Sequence, residues 1–482
     1  MLDRFFAFSQ NNTNLRTELL AGLTTFLTMA YIIFVQPAVL SGSIFHPPID
    51  TGIDFGAVTV ATCLSTALAS ALMGLYGRYP IAQAPGMGEN FFFVLSTLPV
   101  AAGMIARGAV APGTTTAWQI ALGVVFVSGV LFLVLSFLGV RELLLDAISP
   151  SMRNGIAIGI GLFIALIGLR NANLVLVDNN GLRLNTAFAS PDLIVFFVGL
   201  LVTAGLHARR VRGSIVWGIV AATLLAVVLQ HALPALPTGL ADSPTVTQSG
   251  LMKHFTIARS VLSTPPSIGP TFLKMDVRNA LSWTMAPFIL IFLFMNLFDT
   301  LGTLIGVCEQ AGFIKDGKLP RARQALASDA IATAVGAALG TSTVTSYIES
   351  AAGVEQGGRT GLTAVVVAVL FLLALFFSPI IAMVGSYPPI TAPALVIVGS
   401  MMILNVLKID WSNYAEAMPA FLVMIGIPLS YSIADGLALG FVLYPPVKLL
   451  AGQGREVRWL MYVMAAVLLA YFVLVRAQAG GA

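Results

Sequence analysis

The 482-residue sequence predicts an all-α polytopic membrane protein, and three observations carry that reading. It is 57% hydrophobic and 10% charged, where soluble domains carry about 25% charged residues. Its mean hydropathy is +0.92. Several apolar runs approach or exceed the roughly 20 residues that cross a bilayer as a helix. The spans form one membrane unit, with no segment left for a sizeable soluble domain. The basic residues behind the net charge of +4 are scattered through short loops, so no nucleic-acid partner is expected. Cys63 and Cys308 lie in or beside apolar runs, which implies neither a disulfide framework nor a metal site. The N-terminus lacks the short apolar core and cleavage site of a signal peptide, so the first span is expected to be retained.

Taken in order, the apolar runs begin at Glu18–Leu40, whose threonines 24, 25 and 28 share a helical face. Ala57–Tyr76 follows, rich in the small residues that let helices approach closely. The next run is interrupted by Y-P-I-A-Q-A-P-G-M-G-E-N-F-F-F at residues 79–93. Pro85, Gly86 and Gly88 disfavour a continuous helix there. Further spans are expected near Trp118–Leu138, Pro150–Leu169, Leu193–Leu206 and Ser214–Leu229. Residues 234–280 form the longest polar connection and divide the chain near its middle. Then come Trp283–Val307, the short Ala325–Gly340, a broken segment over 341–358, Gly361–Phe377, Ala392–Leu407, Met418–Ile433 and Gly436–Leu449. Seven spans precede the connection and seven follow it; Trp459–Val475 is left over, either an extra span or part of the last one. The domain reading is therefore residues 1–233, a connection over 234–280, and residues 281–482.

Charge sets the orientation. Arg78, Arg141, Arg153, Arg209, Arg210, Arg212, Lys315, Lys318, Arg321, Arg323, Arg359 and Lys408 fall in loops on the N-terminal side. Short loops on the other side hold Arg107, Arg170 and Arg183. That bias predicts a cytoplasmic N-terminus.

The chemistry is expected in the broken segments. T-S-T-V-T-S-Y-I-E-S-A-A-G-V-E-Q-G-G-R-T, residues 341–360, places Glu349 at membrane depth. An unpaired carboxylate there costs at least about 2.5–3.5 kcal/mol, so Glu349 should face protein or water. The first break carries Glu89 and Asn90. Two interruptions, one in each half, point to a transporter site between repeats. N-L-F-D-T-L-G-T-L-I-G-V adds Asp299, with Thr303 one turn later on the same face. A carboxyl group removed from water can take up and release a proton as its surroundings change. Asp299, inside the longer apolar helix, is expected to be the more desolvated acid and the proton carrier, and Glu349 the direct ligand. No H-E-x-x-H, P-loop or C-x-x-C is present, so the chain is not read as an enzyme. His46, His207, His231 and His254 form no ligand cluster, and neither metal nor cofactor is expected.

The segments T-T-F-L-T-M-A-Y-I-I-F-V-Q-P, A-P-G-M-G-E-N-F-F-F, N-L-F-D-T-L-G-T-L-I-G-V and T-S-Y-I-E-S-A-A-G-V-E-Q-G-G-R-T-G-L-T-A-V-V resemble the nucleobase cation symporter-2 superfamily, nearest its AzgA-like purine permease branch. P-L-S-Y-S-I-A-D-G-L-A-L-G-F-V, residues 428–442, also fits. The resemblance implies about 14 spans in two inverted seven-span repeats, core and gate domains, and short strands in spans 3 and 10. It implies proton-coupled uptake of hypoxanthine, guanine or adenine at the cell membrane by a homodimer. It makes Glu349, Asp299, Asn90 and Thr303 substrate-site residues, beside Phe91, Tyr347, Ile348 and Ser350. Proton coupling falls to Asp299, Glu349 and Glu89. Glu89 stands where an apolar residue is common, and Gln36 where Asn is common. Chemically, a carboxylate accepts from base N–H groups, exposed amides over 88–92 and 346–350 donate, and a Phe face stacks. A uracil or xanthine permease, or an anion transporter on the same fold, is the alternative; the acids at the site argue against an anion.

Overall fold

The structure is a computed structural model and describes residues 5–45, 48–110, 113–138, 148–178, 181–235, 243–313 and 319–470. His46, Arg141, Lys315, Lys318 and residues 471–475 of the last apolar run lie outside the described residues. The protein is a polytopic all-α membrane protein. Among the described residues, ten helices are long and apolar enough to cross a membrane. Three shorter apolar helices join them: Ala392–Lys408, Tyr414–Ser430 and Trp459–Ala470. Ala322–Leu339 is long enough to cross but interrupted in its apolar character by Arg323 and Asp329. Trp459–Ala470 is a separate helix, set off from Ile433–Leu450 by the turn at Gly454–Glu456, and it packs back on that helix.

The helices pack in two groups. One gathers Leu15–Leu40, Phe55–Gly77, Ala117–Leu138, Ala322–Leu339 and Gly361–Ala374 around the two broken segments. The other gathers Pro150–Asn171, Pro191–Ala208, Ser214–Ala232, Ala392–Met402, Tyr414–Ser430 and Ile433–Leu450. Lipid tails give helices no hydrophobic reason to associate, so small residues at contacts matter more than large ones. At Gly159 a methyl group would lie 2.9 Å from the Val423 carbonyl oxygen and 2.8 Å from the Ile427 side chain, so only glycine lets those backbones meet.

The first span, predicted as one helix, divides at Ala30–Tyr31 into Leu15–Met29 and Ile32–Leu40. Among the described residues the long connection contains the short helices Pro244–Thr247, Gly250–His254 and Val277–Ala280. It is pinned rather than loose. The buried Asp192 carboxylate accepts from the amides of Gly250 (2.9 Å) and Leu251 (3.1 Å) and from the Tyr387 hydroxyl (2.5 Å). Further on, the Leu273 amide donates to the Ala338 carbonyl at 2.7 Å and the Asp276 amide to that of Gln119 at 2.8 Å.

Candidate functional site

Among the described residues four strands occur in two antiparallel pairs: β1 (Gln83–Pro85) with β4 (Val344–Ser346), and the hairpin β2 (Val175–Asp178) with β3 (Gly181–Leu184). The first pair is the crossing of the two broken segments. Its register sets Gln83 opposite Ser346, Ala84 opposite Thr345 and Pro85 opposite Val344. Every residue of both strands is buried. Irregular backbone at membrane depth survives only where protein satisfies its polar groups, and here side chains complete what three-residue strands leave open. Ser70 Oγ accepts from the Gln83 amide (3.0 Å) and donates to the Gln83 carbonyl (3.1 Å). The Ala82 amide donates to Ser350 Oγ at 3.0 Å, and the Tyr347 hydroxyl to the Pro85 carbonyl at 2.5 Å. Behind β4, Gly336 lets the Ala322–Leu339 helix approach, since a methyl group there would lie 2.9 Å from Val344 Cγ2.

Beyond β1 the chain enters the helix Met87–Ala106; beyond β4 it enters the six-residue helix Ser350–Glu355, with Glu349 as the residue that precedes it. Glu349 is half-buried, and the Tyr31 hydroxyl, itself buried, donates to its Oε1 at 2.9 Å. The break in the first span therefore supplies the partner of the acid in the second break. The amides of Tyr347 and Ser350 are bound to the carbonyls of Ala82 and Tyr347. Of residues 347–350, only Ile348 and Glu349 have amides with no backbone acceptor among the described residues. The donor set expected over 346–350 thus loses Tyr347 and Ser350, and Ile348 is 47% exposed.

Asp299 accepts from Thr345 Oγ1 at 3.1 Å, which joins the Ala286–Gln310 helix to β4. It is exposed, although it lies mid-helix. The expectation that Asp299 would be the more desolvated acid does not hold. Gly302 and Gly306, on the same helical face, are exposed too; a methyl group on Gly302 would touch nothing within 4 Å. Two missing side chains open that face toward the Gln310 end of the helix. Thr303 is buried beside it.

Asn90 is fully buried; its Oδ1 accepts from the Ser342 hydroxyl, and its Nδ2 has no partner among the described residues. A buried donor without an acceptor costs about 1–3 kcal/mol, which a ligand acceptor would recover. Glu89 is 3% exposed, and its carboxylate fills the space beside Gly86 that a side chain would need. Phe91 is fully buried and meets the rings of Phe45 and Phe163 edge-on, with centroids 5.9 and 6.3 Å away. Its ring is packed rather than presented as an open face. Gln36, at the departure from the family pattern, donates to Thr341 Oγ1 at 2.6 Å.

Two residues of this site escaped the sequence reading. Tyr31 is one. Asp329 is the other: a carboxylate with no exposed surface, accepting from Gln83 Nε2 at 2.9 Å. The Asn296 amide, oriented so that its oxygen accepts from Thr333, donates to Asp329 Oδ2 at 3.2 Å. Asp329 sits in an apolar segment, and the rule that singled out Asp299 and Glu349 applies to it equally.

A strand crossing between two broken helices, ringed by intramembrane acids and amides, is the build of a polytopic α-helical transport protein. The family model Xan_ur_permease, described as a permease family, matches residues 16–439. The chain belongs to that family, and with it to the nucleobase cation symporter-2 superfamily. It is 40% identical to the guanine/hypoxanthine permease PbuG of Bacillus subtilis over 98% of this chain and 99% of that one. It is 36% identical to the adenine permease AdeQ of Escherichia coli, over 98% and 96%. Among solved structures, the transmembrane domain of the bicarbonate transporter BicA from a cyanobacterium aligns with a TM-score of 0.58 at 14% identity, over 89% of this chain and 97% of that one. That likeness is one of fold alone.

Proposed function

We propose that this protein takes up purine nucleobases, with hypoxanthine and guanine foremost and adenine a further candidate, by proton symport with alternating access. Glu349 carries the reading. It stands at the crossing, half-buried, held by Tyr31 and followed by an occupied backbone turn whose remaining amides are those of Ile348 and Glu349 itself. A carboxylate that accepts beside amides that donate matches a purine edge, which offers N–H donors next to ring-nitrogen and carbonyl acceptors. Asn90 Nδ2 supplies a further donor. Asp299, exposed at the surface of its helix and bound to β4 through Thr345, exchanges the proton. Thr303, Tyr347 and Ser350 shape the site, Phe91 backs it, and Glu89 is the third acid available for coupling.

The protein is assigned to the cell membrane with its N-terminus cytoplasmic, as a homodimer of chains built from two inverted repeats, residues 1–233 and 281–482. Uptake of radiolabelled hypoxanthine into proteoliposomes tests the function. An imposed proton gradient should drive saturable accumulation, and a protonophore should abolish it while leaving exchange of preloaded purine. Accumulation driven by sodium alone at clamped pH contradicts the coupling, and saturable uptake of uracil but not of purines contradicts the substrate class.

A further inference from the structure

At the end of the molecule that carries the N-terminus lies a cavity of about 480 Å³, lined by residues other than those of the strand crossing. Parts far apart in the chain build it: the N-terminal segment from Phe5 to Asn12, the end of the second span at Arg78 and Tyr79, residues 311–313, Pro320 and Arg321, and the turn Arg359–Gly361. Among the described residues three arginines line it and no carboxylate does. Behind one of them the buried Glu18 carboxylate accepts from the Arg359 backbone amide at 2.9 Å and from the Thr363 hydroxyl at 2.6 Å. Aromatic faces hold the guanidinium groups of the other two. Arg78 Cζ lies 5.2 Å from the ring centroid of Phe5, and Arg321 Cζ lies 5.2 Å from that of Tyr79. Arg359 donates to the Val354 carbonyl at 2.5 Å and the Gly358 carbonyl at 2.9 Å.

Cation–π contact fixes where a guanidinium sits without spending all five of its N–H donors. Three fixed cations around one cavity, with the amide side chains of Asn11 and Asn12 on its wall, form a site for a group with several acceptor oxygens and negative charge. We propose that this cavity binds a phosphate group. Phosphate accepts paired N–H donors from arginine, and a monoester carries about −1.5 to −2 at neutral pH. That chemistry comes either as a soluble phosphate or phosphomonoester, or as the headgroup of an anionic lipid at the membrane surface. In both cases the bound phosphate joins the N-terminal segment to the chain that follows the Glu349 half-helix.

The experiment uses the full-length protein in two arms. In detergent, calorimetric titration with inorganic phosphate and with adenosine monophosphate measures the soluble source. In nanodiscs of phosphatidylcholine with and without phosphatidylglycerol, lipid retained on the purified protein measures the headgroup source. Two variants report on the site. Arg78→Gln combined with Arg321→Gln should weaken binding at least about 10-fold, equivalent to about 1.4 kcal/mol. Asn12→Asp, which adds only a charge at an exposed left-handed position suited to either residue, should weaken it several-fold. Hypoxanthine binding serves as the control for folding and should stay unchanged in both. Binding in either arm that falls in both variants supports the proposal and names the source. If no probe binds more tightly than about 1 mM in either arm, or if binding in both variants stays within twofold of wild type, the proposal is overturned.

Discussion

The two broken segments are alike in backbone and unlike in what they leave accessible. Each has a three-residue strand followed by a helix start, and the strands pair with each other. After β1, however, the helix runs on from Met87 to Ala106, and its first turns are clamped by aromatic packing of Phe91 on Phe45 and Phe163 and of Phe92 on Phe292. After β4 the helix ends at Glu355, and Ile348 and Glu349 retain exposed surface before it starts. The acid of the first break, Glu89, folds back beside Gly86; the acid of the second stands at the edge of its half-helix. Near-symmetric backbone thus gives one segment the part of a wall and the other the part of a reader.

The largest effect should come from the residue that supports both segments. Asp329→Ala removes, in a fully buried place, the carboxylate shared by the Gln83 and Asn296 amides, which keep only the longer contacts to the Ser346 hydroxyl (3.2 Å) and the Val344 carbonyl (3.3 Å). Losing buried hydrogen bonds to a carboxylate costs about 1.5–3 kcal/mol each. Thermal unfolding in detergent should show a clear loss, and an unchanged midpoint would remove Asp329 from the scaffold. Next in size is a difference in accessibility. Ile348→Cys should react readily with a polar maleimide, while the native Cys63 and Cys308, both buried, stay protected. Hypoxanthine at about ten times its dissociation constant should slow that reaction about 10-fold. Reaction unaffected by purine would move the site away from the second break. A smaller effect is expected from Tyr31→Phe, which removes one donor to Glu349 and keeps the ring. A hydrogen bond of about 1 kcal/mol predicts roughly 5-fold weaker purine binding. No change would mean that Tyr31 does not set the position of the carboxylate.

The fold class and both breaks were legible because hydropathy, proline and glycine act locally. Pro85, Gly86 and Gly88 interrupt their own helix, and the polar run from Thr341 interrupts the other. Glu349 and Asp299 stood out because an acid in an apolar run is costly wherever it lands. Other features depend on what lies opposite, which local pattern does not encode. Tyr31 reads as one more aromatic in an apolar span until its hydroxyl meets Glu349. Asp329 satisfied the same criterion as the other acids, but its alanine-rich neighbourhood reads as plain packing. The exposure of Asp299 follows from the open face at Gly302 and Gly306, and sequence shows the glycines without showing the opening. The packing of Phe91 between Phe45 and Phe163 was equally out of reach, since the three rings come from separate parts of the chain.

The most direct test is equilibrium binding of radiolabelled hypoxanthine to purified protein carrying Glu349→Gln or Glu89→Gln. Both substitutions keep size and shape and replace an acceptor-only carboxylate with an amide that presents a donor. With Glu349 as the reader, Glu349→Gln should lose about 2 kcal/mol or more of binding, roughly 30-fold, through a lost charged hydrogen bond and a mismatched donor. Glu89→Gln, behind the wall, should stay within about threefold, a difference of less than 1 kcal/mol. Normal binding by Glu349→Gln, or loss confined to Glu89→Gln, would contradict the account.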